Sequence, residues 1–222
     1  AFGSSMVACK DADAMVTGNI RHYAASIEKL KHVCDARKGE PIFGMTMIVF
    51  KGRTVLVADT NVEDFPSSER LVEISKSCVR VSKLFGFDPK VAFLSHSTFG
   101  KPISRNTKHV RDAIDLLKGE KVDFDFDGEM QPDVALNPIY QEVYPFSKIV
   151  GRANILIMPA LHSAAISTKL MKSFGGAKLI GPLLIGLDLP IEVAPLRSST
   201  SDILNLASIA AYSADVIDYN KN

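Results

Sequence analysis

VAFLSHSTFGKP (91–102), VDFDFDGEMQPDVAL (122–136) and NILIMPALHSAAISTKL (154–170) decide the fold. Each begins with a short apolar or β-branched run, enters a polar turn and continues as a helix pattern. Runs of this kind suit strands covered on both faces. The spacing predicts strands over 91–95, 122–126 and 154–158, each followed by a helix, over 105–118, 132–143 and 162–173. Strands alternating with helices imply right-handed crossovers and a mainly parallel sheet between two helical layers, a three-layer αβα architecture of the α/β class. Ligands of open α/β sheets bind outside the carboxyl ends of the strands. Ser95, Ser97, Thr98, Asp127, Glu129, His162 and Ser163 are therefore expected to line one crevice.

Upstream of this unit, GMTMIVF-KGR-TVLVADT (44–60) reads as two strands around a tight turn, a β-hairpin. Pro66-Ser67-Ser68-Glu69 opens a helix running to about Leu84, with proline tolerated in the first turn. Residues 4–17 read as a helix stopped by Gly18. Residues 19–35 read as a second one, with Ile20, Tyr23, Ile27, Leu30 and Val33 at helical spacing. After two apolar runs in 177–194, a last helix is expected over 200–217, capped by Thr200 or Ser201. The opening helices have no preceding strand to cover, and 183–217 looks like part of another sheet. The pattern suggests one complete α/β subdomain at 27–178, with 1–26 and 179–222 belonging to a second, incomplete one.

The chain has 222 residues, 46% of them hydrophobic, and a formal net charge of +1. That supports a substantial core and gives no electrostatic reason to expect nucleic-acid or membrane partners. No apolar stretch approaches the ~20 residues of a membrane span, and the N-terminus lacks a signal-peptide layout. Cys9, Cys34 and Cys78 are unclustered, as expected of free thiols in a reducing cytoplasm.

Phe99-Gly100-Lys101-Pro102 does not complete a phosphate loop: Ser95 stands where the first glycine belongs, and Pro102 replaces the metal-binding hydroxyl. Ser95-His96-Ser97-Thr98 has two readings, an anion site at a strand-to-helix turn and a hydroxyl-capped turn. Asp123, Asp125 and Asp127 alternate along a strand, with Phe124 and Phe126 on its other face. A wetter strand face accounts for that pattern, and no metal site is expected. His96 and His162 read as turn histidines, and Asp202 as an acidic residue in the first turn of the last helix.

DADAMVTG (11–18), LSHSTFG (94–100), DFDFDGEMQPDVALN (123–137), ANILIMPALHSAAISTKL (153–170) and IGPLLIGLDLPIEV (180–193) resemble the phosphate acetyl/butyryltransferase family. Within it, the chain is most similar to the C-terminal domain carried by bacterial NADP-dependent malic enzymes. The resemblance implies an isocitrate/isopropylmalate dehydrogenase-like fold and acetyl-CoA or a similar acyl-CoA as ligand. Ser95, Ser97, Thr98, Asp127, His162, Ser163, Thr17 and Gly18 would bind it. Asp202 would be the base on the CoA thiol, with Arg197 and Ser198 at the acyl and phosphate groups, an arrangement that acyl transfer requires. It also implies a cytoplasmic homodimer or larger homo-oligomer, with NADP and a divalent metal confined to a malic-enzyme region outside this chain. Two departures from the transferase pattern stand out. The Leu196–Ser201 turn is about two residues shorter and lacks Ser-Arg-Gly order, and Phe99 stands where transferases often carry lysine. Misplacing a catalytic group by 1 Å costs about a hundredfold in rate. The expectation is therefore weak or absent acyl transfer with retained acyl-CoA binding as a regulatory signal. The rivals are an active phosphate acyltransferase and a dimerisation module that binds nothing.

Overall fold

The computed structural model describes residues 2–59, 62–103 and 105–219. Thr60, the last residue of the expected hairpin, lies outside them. In chain order the elements are α1 (Phe2–Ala8), β1 (Met15–Gly18), α2 (Tyr23–Leu30), β2 (Phe43–Phe50), β3 (Arg53–Ala58), α3 (Ser68–Leu84) and β4 (Lys90–Leu94), followed by α4 (Lys108–Lys118), β5 (Asp125–Met130), α5 (Pro132–Leu136), β6 (Ile155–Ile157), α6 (Leu161–Phe174), β7 (Lys178–Ile185), β8 (Ile191–Ala194) and α7 (Thr200–Tyr219). The chain forms two compact units, 47–179 and the paired segments 1–46 and 180–222.

The larger sheet has the strand order β5-β4-β6-β3-β2-β7. β4 lies between β5 and β6 and is parallel to both, with Ala92 opposite Asp127 and Leu156. β3 is parallel to β6, with Val57 opposite Leu156. These parallel pairings carry the carboxyl ends of β3, β4, β5 and β6 to one end of the sheet, where the 95–101, 131 and 158–163 turns emerge. The two-residue Lys51-Gly52 link between β2 and β3 allows only an antiparallel hairpin, because a parallel pair needs a long crossover.

Within the 47–179 unit the side-chain alternation builds two cores. Val57, Ala92, Leu94, Met130, Leu156 and Met158 pack with Ala135, Ile149, Ala153 and Ala164 on one face. Leu56, Phe93, Ile155 and Ile157 alternate with them toward the other face and are at most 1% exposed. α3 and α4 supply Leu71, Ile74, Cys78, Ala113 and Leu117, all fully buried. The Ser67 hydroxyl caps α3 by accepting from the Arg70 N–H at 3.2 Å, so Pro66 precedes the cap and does not enter the first turn as expected.

The smaller unit corrects the helical reading of 4–17. Only Phe2–Ala8 is helical, and Met15–Gly18 is a strand. β1 pairs in parallel with β8, from Met15 opposite Ile191 to Gly18 opposite Ala194. Asp11-Ala12-Asp13 breaks the helix, since aspartate competes for backbone hydrogen bonds, and β8 supplies a strand partner that a local pattern does not reveal. The predicted helix over 19–35 shortens to Tyr23–Leu30. Two further differences are local. The expected 122–126 strand runs instead over Asp125–Met130, which leaves Asp123 outside it, ion-paired with Lys83 at 2.6 Å. The helix expected over 132–143 stops at Leu136, and Pro138–Gln141 forms a 3₁₀ turn capped by Asn137. The residue before a proline disfavours helical geometry, which accounts for the stop. Cys9, Cys34 and Cys78 are free thiols.

Ile155 is fully buried on β6 between two parallel neighbours. Ile155→Ala is expected to destabilise the chain by about 2–5 kcal/mol in urea unfolding, through lost burial and a residual cavity.

Candidate functional site

Two groups of residues sit at carboxyl ends of parallel strands, one in each unit. In the 47–179 unit the 95–101 turn closes on Glu129. The Ser97 hydroxyl donates to Glu129 Oε1 at 2.8 Å, and the Gly100 N–H donates to the same oxygen at 3.2 Å. Arg111 Nη1 reaches it at 3.3 Å and donates to the Thr107 hydroxyl at 2.9 Å. The Phe99 N–H donates to the Glu129 carbonyl at 2.7 Å. Ser95 and Ser97 share a hydrogen bond of 2.9 Å, and the Thr98 hydroxyl accepts from the Gln131 N–H. Ser97 is fully buried and Glu129 is 1% exposed. The hydroxyls therefore turn inward onto a carboxylate, which disfavours a phosphate at Ser97. Their geometry is that of the hydroxyl-capped turn.

Asp127 lies inside β5, buried, and accepts from the Gly128 and Lys148 N–H groups at 2.9 and 2.7 Å. It fastens the 138–151 loop to the strand. His162 is exposed and Ser163 half-buried in the first turn of α6. That turn is fixed by His109, whose Nε2 lies 2.8 Å from the Pro159 carbonyl. The 95–98 and 162–163 turns thus share one end of the sheet, and no side-chain bond joins them among the described residues. Phe99 packs its ring 4.9 Å from Phe146 and 5.3 Å from Tyr144.

In the other unit, the end of β1 and the end of β8 meet at Gly18. Its φ is +105°, and a Cβ there would lie 2.2 Å from the Ala194 carbonyl oxygen. Only glycine allows this approach. Asn19 then donates its N–H to Ala194 O, and Arg197 donates its N–H to Asn19 O, each at 3.0 Å. Arg197 itself has φ +59° and an exposed side chain. The Ser198 hydroxyl donates to Pro195 O at 2.8 Å. Ser199 and Asp202 exchange bonds: the Ser199 N–H donates to Asp202 Oδ2 at 3.0 Å and the Asp202 N–H to Ser199 Oγ at 3.2 Å. This reciprocal pair is a capping box at the start of α7. Ser199 is the cap, one residue earlier than the expected Thr200 or Ser201. Thr17, Gly18, Arg197, Ser198 and Asp202 are therefore gathered by one strand pair and its two exit turns.

Beside them is a cavity of about 300 Å³ lined by Gly3, Met15, Thr17, Gly18, Ile20, Arg21, Ser26, Lys29 and Leu30. Arg21 and Lys29 are its charged members, and neither makes an ion pair with a described residue. Sequence reading missed both. The helical assignment of 4–17 hid the fact that Arg21 follows the end of a strand, and Lys29 looked like an ordinary surface position on α2. Under the same strands, Glu192 of β8 is 4% exposed and accepts from the Leu184 N–H at 2.9 Å. Burial raises its carboxyl pKa to about 8, against a smaller lowering by that N–H. Among the described residues no group of three or more His, Cys, Asp or Glu stands together to hold a metal ion, and no helix is long and apolar enough to cross a membrane.

Comparison with known proteins gives these two strand ends a family. The family model for phosphate acetyl/butaryl transferase matches residues 1–211. An NADP-dependent malic enzyme of Rhizobium meliloti is 47% identical over 213 residues, covering 96% of this chain and 28% of that protein. A phosphate acetyltransferase of Bacillus subtilis is 31% identical over 96% of this chain and 67% of its own length. The crystal structure of a phosphotransacetylase from Streptococcus pyogenes superposes with a TM-score of 0.89 at 31% identity, covering 97% of this chain and 67% of that one. The chain belongs to the phosphate acetyl/butaryl transferase family. It spans less than a third of the malic enzyme's length.

Two outcomes test this geometry. Gly18→Ala is expected to cost at least ~2 kcal/mol in denaturant unfolding, because a methyl group cannot occupy the space at Ala194 O and the positive φ strains any side chain. Glu192 sets a pH dependence. Its folded pKa lies above the unfolded value, so the unfolded state holds fewer protons between the two. The stability it contributes is full below about pH 4.5 and is lost as pH rises toward about 8, with a slope of up to ~1.4 kcal/mol per pH unit. Glu192→Gln is expected to flatten that slope in pH-dependent unfolding and to stabilise the chain at pH 8, since glutamine keeps an acceptor for Leu184 N–H.

Proposed function

We propose that the chain is the phosphotransacetylase-like domain of an NADP-dependent malic enzyme and binds acetyl-CoA, or a similar acyl-CoA, as a regulatory ligand. The observation that carries the reading is the cavity beside Thr17 and Gly18, with Arg21 and Lys29 in its lining. Acyl-CoA carries several phosphate charges, and two cations that no described residue pairs favour them beside an open strand end. Malic enzymes among the relatives support such a parent, in which malate would be decarboxylated to pyruvate with NADP and a divalent metal held outside this chain. On the same reading the parent is a cytoplasmic homodimer or larger homo-oligomer. The complete α/β subdomain expected over 27–178 would correspond most nearly to the 47–179 unit, with 27–46 falling in the other unit.

Two features favour binding over transfer. Asp202 is engaged as the carboxylate of a capping box. Phe99, which replaces the transferase cation, is packed among aromatic rings. The second reading is an active phosphate acyltransferase in which Asp202, Arg197 and Ser198 act together. It is favoured by the Bacillus subtilis relative, two thirds of which this chain covers. Of the other residues that the resemblance assigns to the ligand, His162 is exposed and Ser163 half-buried, whereas Ser97 and Asp127 are held by protein partners.

Calorimetric titration of acetyl-CoA and a malate-dependent NADP-reduction assay of the full-length parent test this together. Acetyl-CoA is expected to bind, to bind more weakly as salt rises, and to shift malate affinity or rate within the ~5–150-fold range of allosteric coupling. Arg21→Ala and Lys29→Ala should each weaken binding and leave basal malate turnover unchanged. Acetyl transfer between acetyl-CoA and phosphate should stay below the ~1 per second floor of ordinary enzymes. Transfer above that floor, lost in Asp202→Asn, would establish the transferase instead. Binding without any change in malate turnover would sink the regulatory role.

A further inference from the structure

A second cavity, of about 180 Å³, lies on the 47–179 unit and is lined by Ile48, Phe50, Arg53, Val55, Leu136, Leu156 and Met171. Its floor belongs to the core: Ile48 is 4% exposed and Leu156 6%. Its walls are Phe50 and Val55 of the β2–β3 hairpin, Leu136 at the end of α5 and Met171 on α6. Every lining residue but one is apolar. The exception is Arg53, whose side chain makes no hydrogen bond or ion pair with a described residue. Beyond Met171 on α6, Leu170 is 50% exposed and Phe174 87% exposed. A concave apolar surface with one convergent polar group is the usual form of a small-molecule site.

We propose that this cavity is a binding site for a small monocarboxylate with an apolar tail, distinct from the cavity beside Thr17 and Gly18. Volume sets the tail. An apolar cavity of about 150 Å³ holds one benzene ring, so a single ring or a chain of about six to eight carbons fills this one. Charge sets the head. An unpaired guanidinium offers a fork of donors that a carboxylate accepts in pairs, and the lining contains no acid to occupy it.

Octanoate is the probe, titrated into the full chain and followed by calorimetry and by amide chemical shifts. Octylammonium is the charge-reversed control. Saturable one-site binding of octanoate is expected, at about 1 mM or tighter for a ligand of this size, with shifts centred on residues 48–56 and 136. Octylammonium should bind about two- to fivefold more weakly, the worth of an exposed charge pair. Arg53→Glu should invert that preference. Val55→Phe should fill the space and abolish binding of both probes. Arg53 is exposed, so its replacement leaves folding intact and carries the test if the larger side chain disturbs the fold. Absence of saturable octanoate binding would overturn the proposal, as would equal affinity for the two probes or binding indifferent to both substitutions. So would a change in sedimenting mass on Arg53→Glu with no response to octanoate, which would mean that another copy covers this face.

Discussion

The pairing of Met15–Gly18 with Ile191–Ala194 is the constraint on which the smaller unit depends. These strands are separated by most of the chain, so their union carries a large loop-closure cost and must be secured by contacts that only the folded state provides. The security is in the details of their ends. Gly18 comes so close to Ala194 that no side chain is possible, and Asn19 bonds both Ala194 and Arg197 through its backbone. Buried Val193 and Ala194 supply the apolar surface underneath. The same contact that joins the strands delivers Thr17 and Gly18 to the turn that leads into α7. Structure and candidate site are therefore one feature here, which is why a substitution at Gly18 bears on both.

The larger unit obeys a simpler rule. Four parallel strands end at one edge, so every strand-to-helix turn emerges there. What happens in those turns is settled by a buried charge. Glu129 collects a hydroxyl, a backbone N–H and an arginine on one oxygen, and its own carbonyl holds Phe99. A buried carboxylate is costly unless paired in this way. Once paired, it makes the 95–101 turn a fixed object with its hydroxyls facing inward. The contrast with the other unit is chemical. One strand end is organised around a buried carboxylate, and the other opens beside two cations that no described residue pairs.

Much of this was legible in the residues. Continuous apolar runs at 91–94 and 155–157 read correctly as buried parallel strands, because a strand covered on both faces needs no alternation. The Lys51-Gly52 turn was readable because turn chemistry is local. The strand at 15–18 was not. MVTG is four residues long, and what makes it a strand is β8, far along the chain. That misreading concealed Arg21. The stop of α5 at Leu136 is visible in the Asn137-Pro138 pair, because the residue before a proline disfavours helical geometry. At Asp202 the sequence carried a cap signal and a family resemblance together. The geometry displays the cap. Glu129 was recognisable as a carboxylate at a strand end, but its role as the anchor of the 95–101 turn depends on Arg111, whose helix packs beside it only in the fold.

The central claim is that the strand end formed by β1 and β8 receives the phosphate-bearing part of an acyl-CoA. A crystal structure of the chain with CoA tests it most directly. The account predicts CoA phosphate oxygens within hydrogen-bond distance of Arg21 or Lys29, beside Thr17 and Gly18, with the Ser199–Asp202 capping box intact. CoA phosphates bound instead against the Ser95–Thr98 turn, with Arg21 and Lys29 facing solvent, would contradict it.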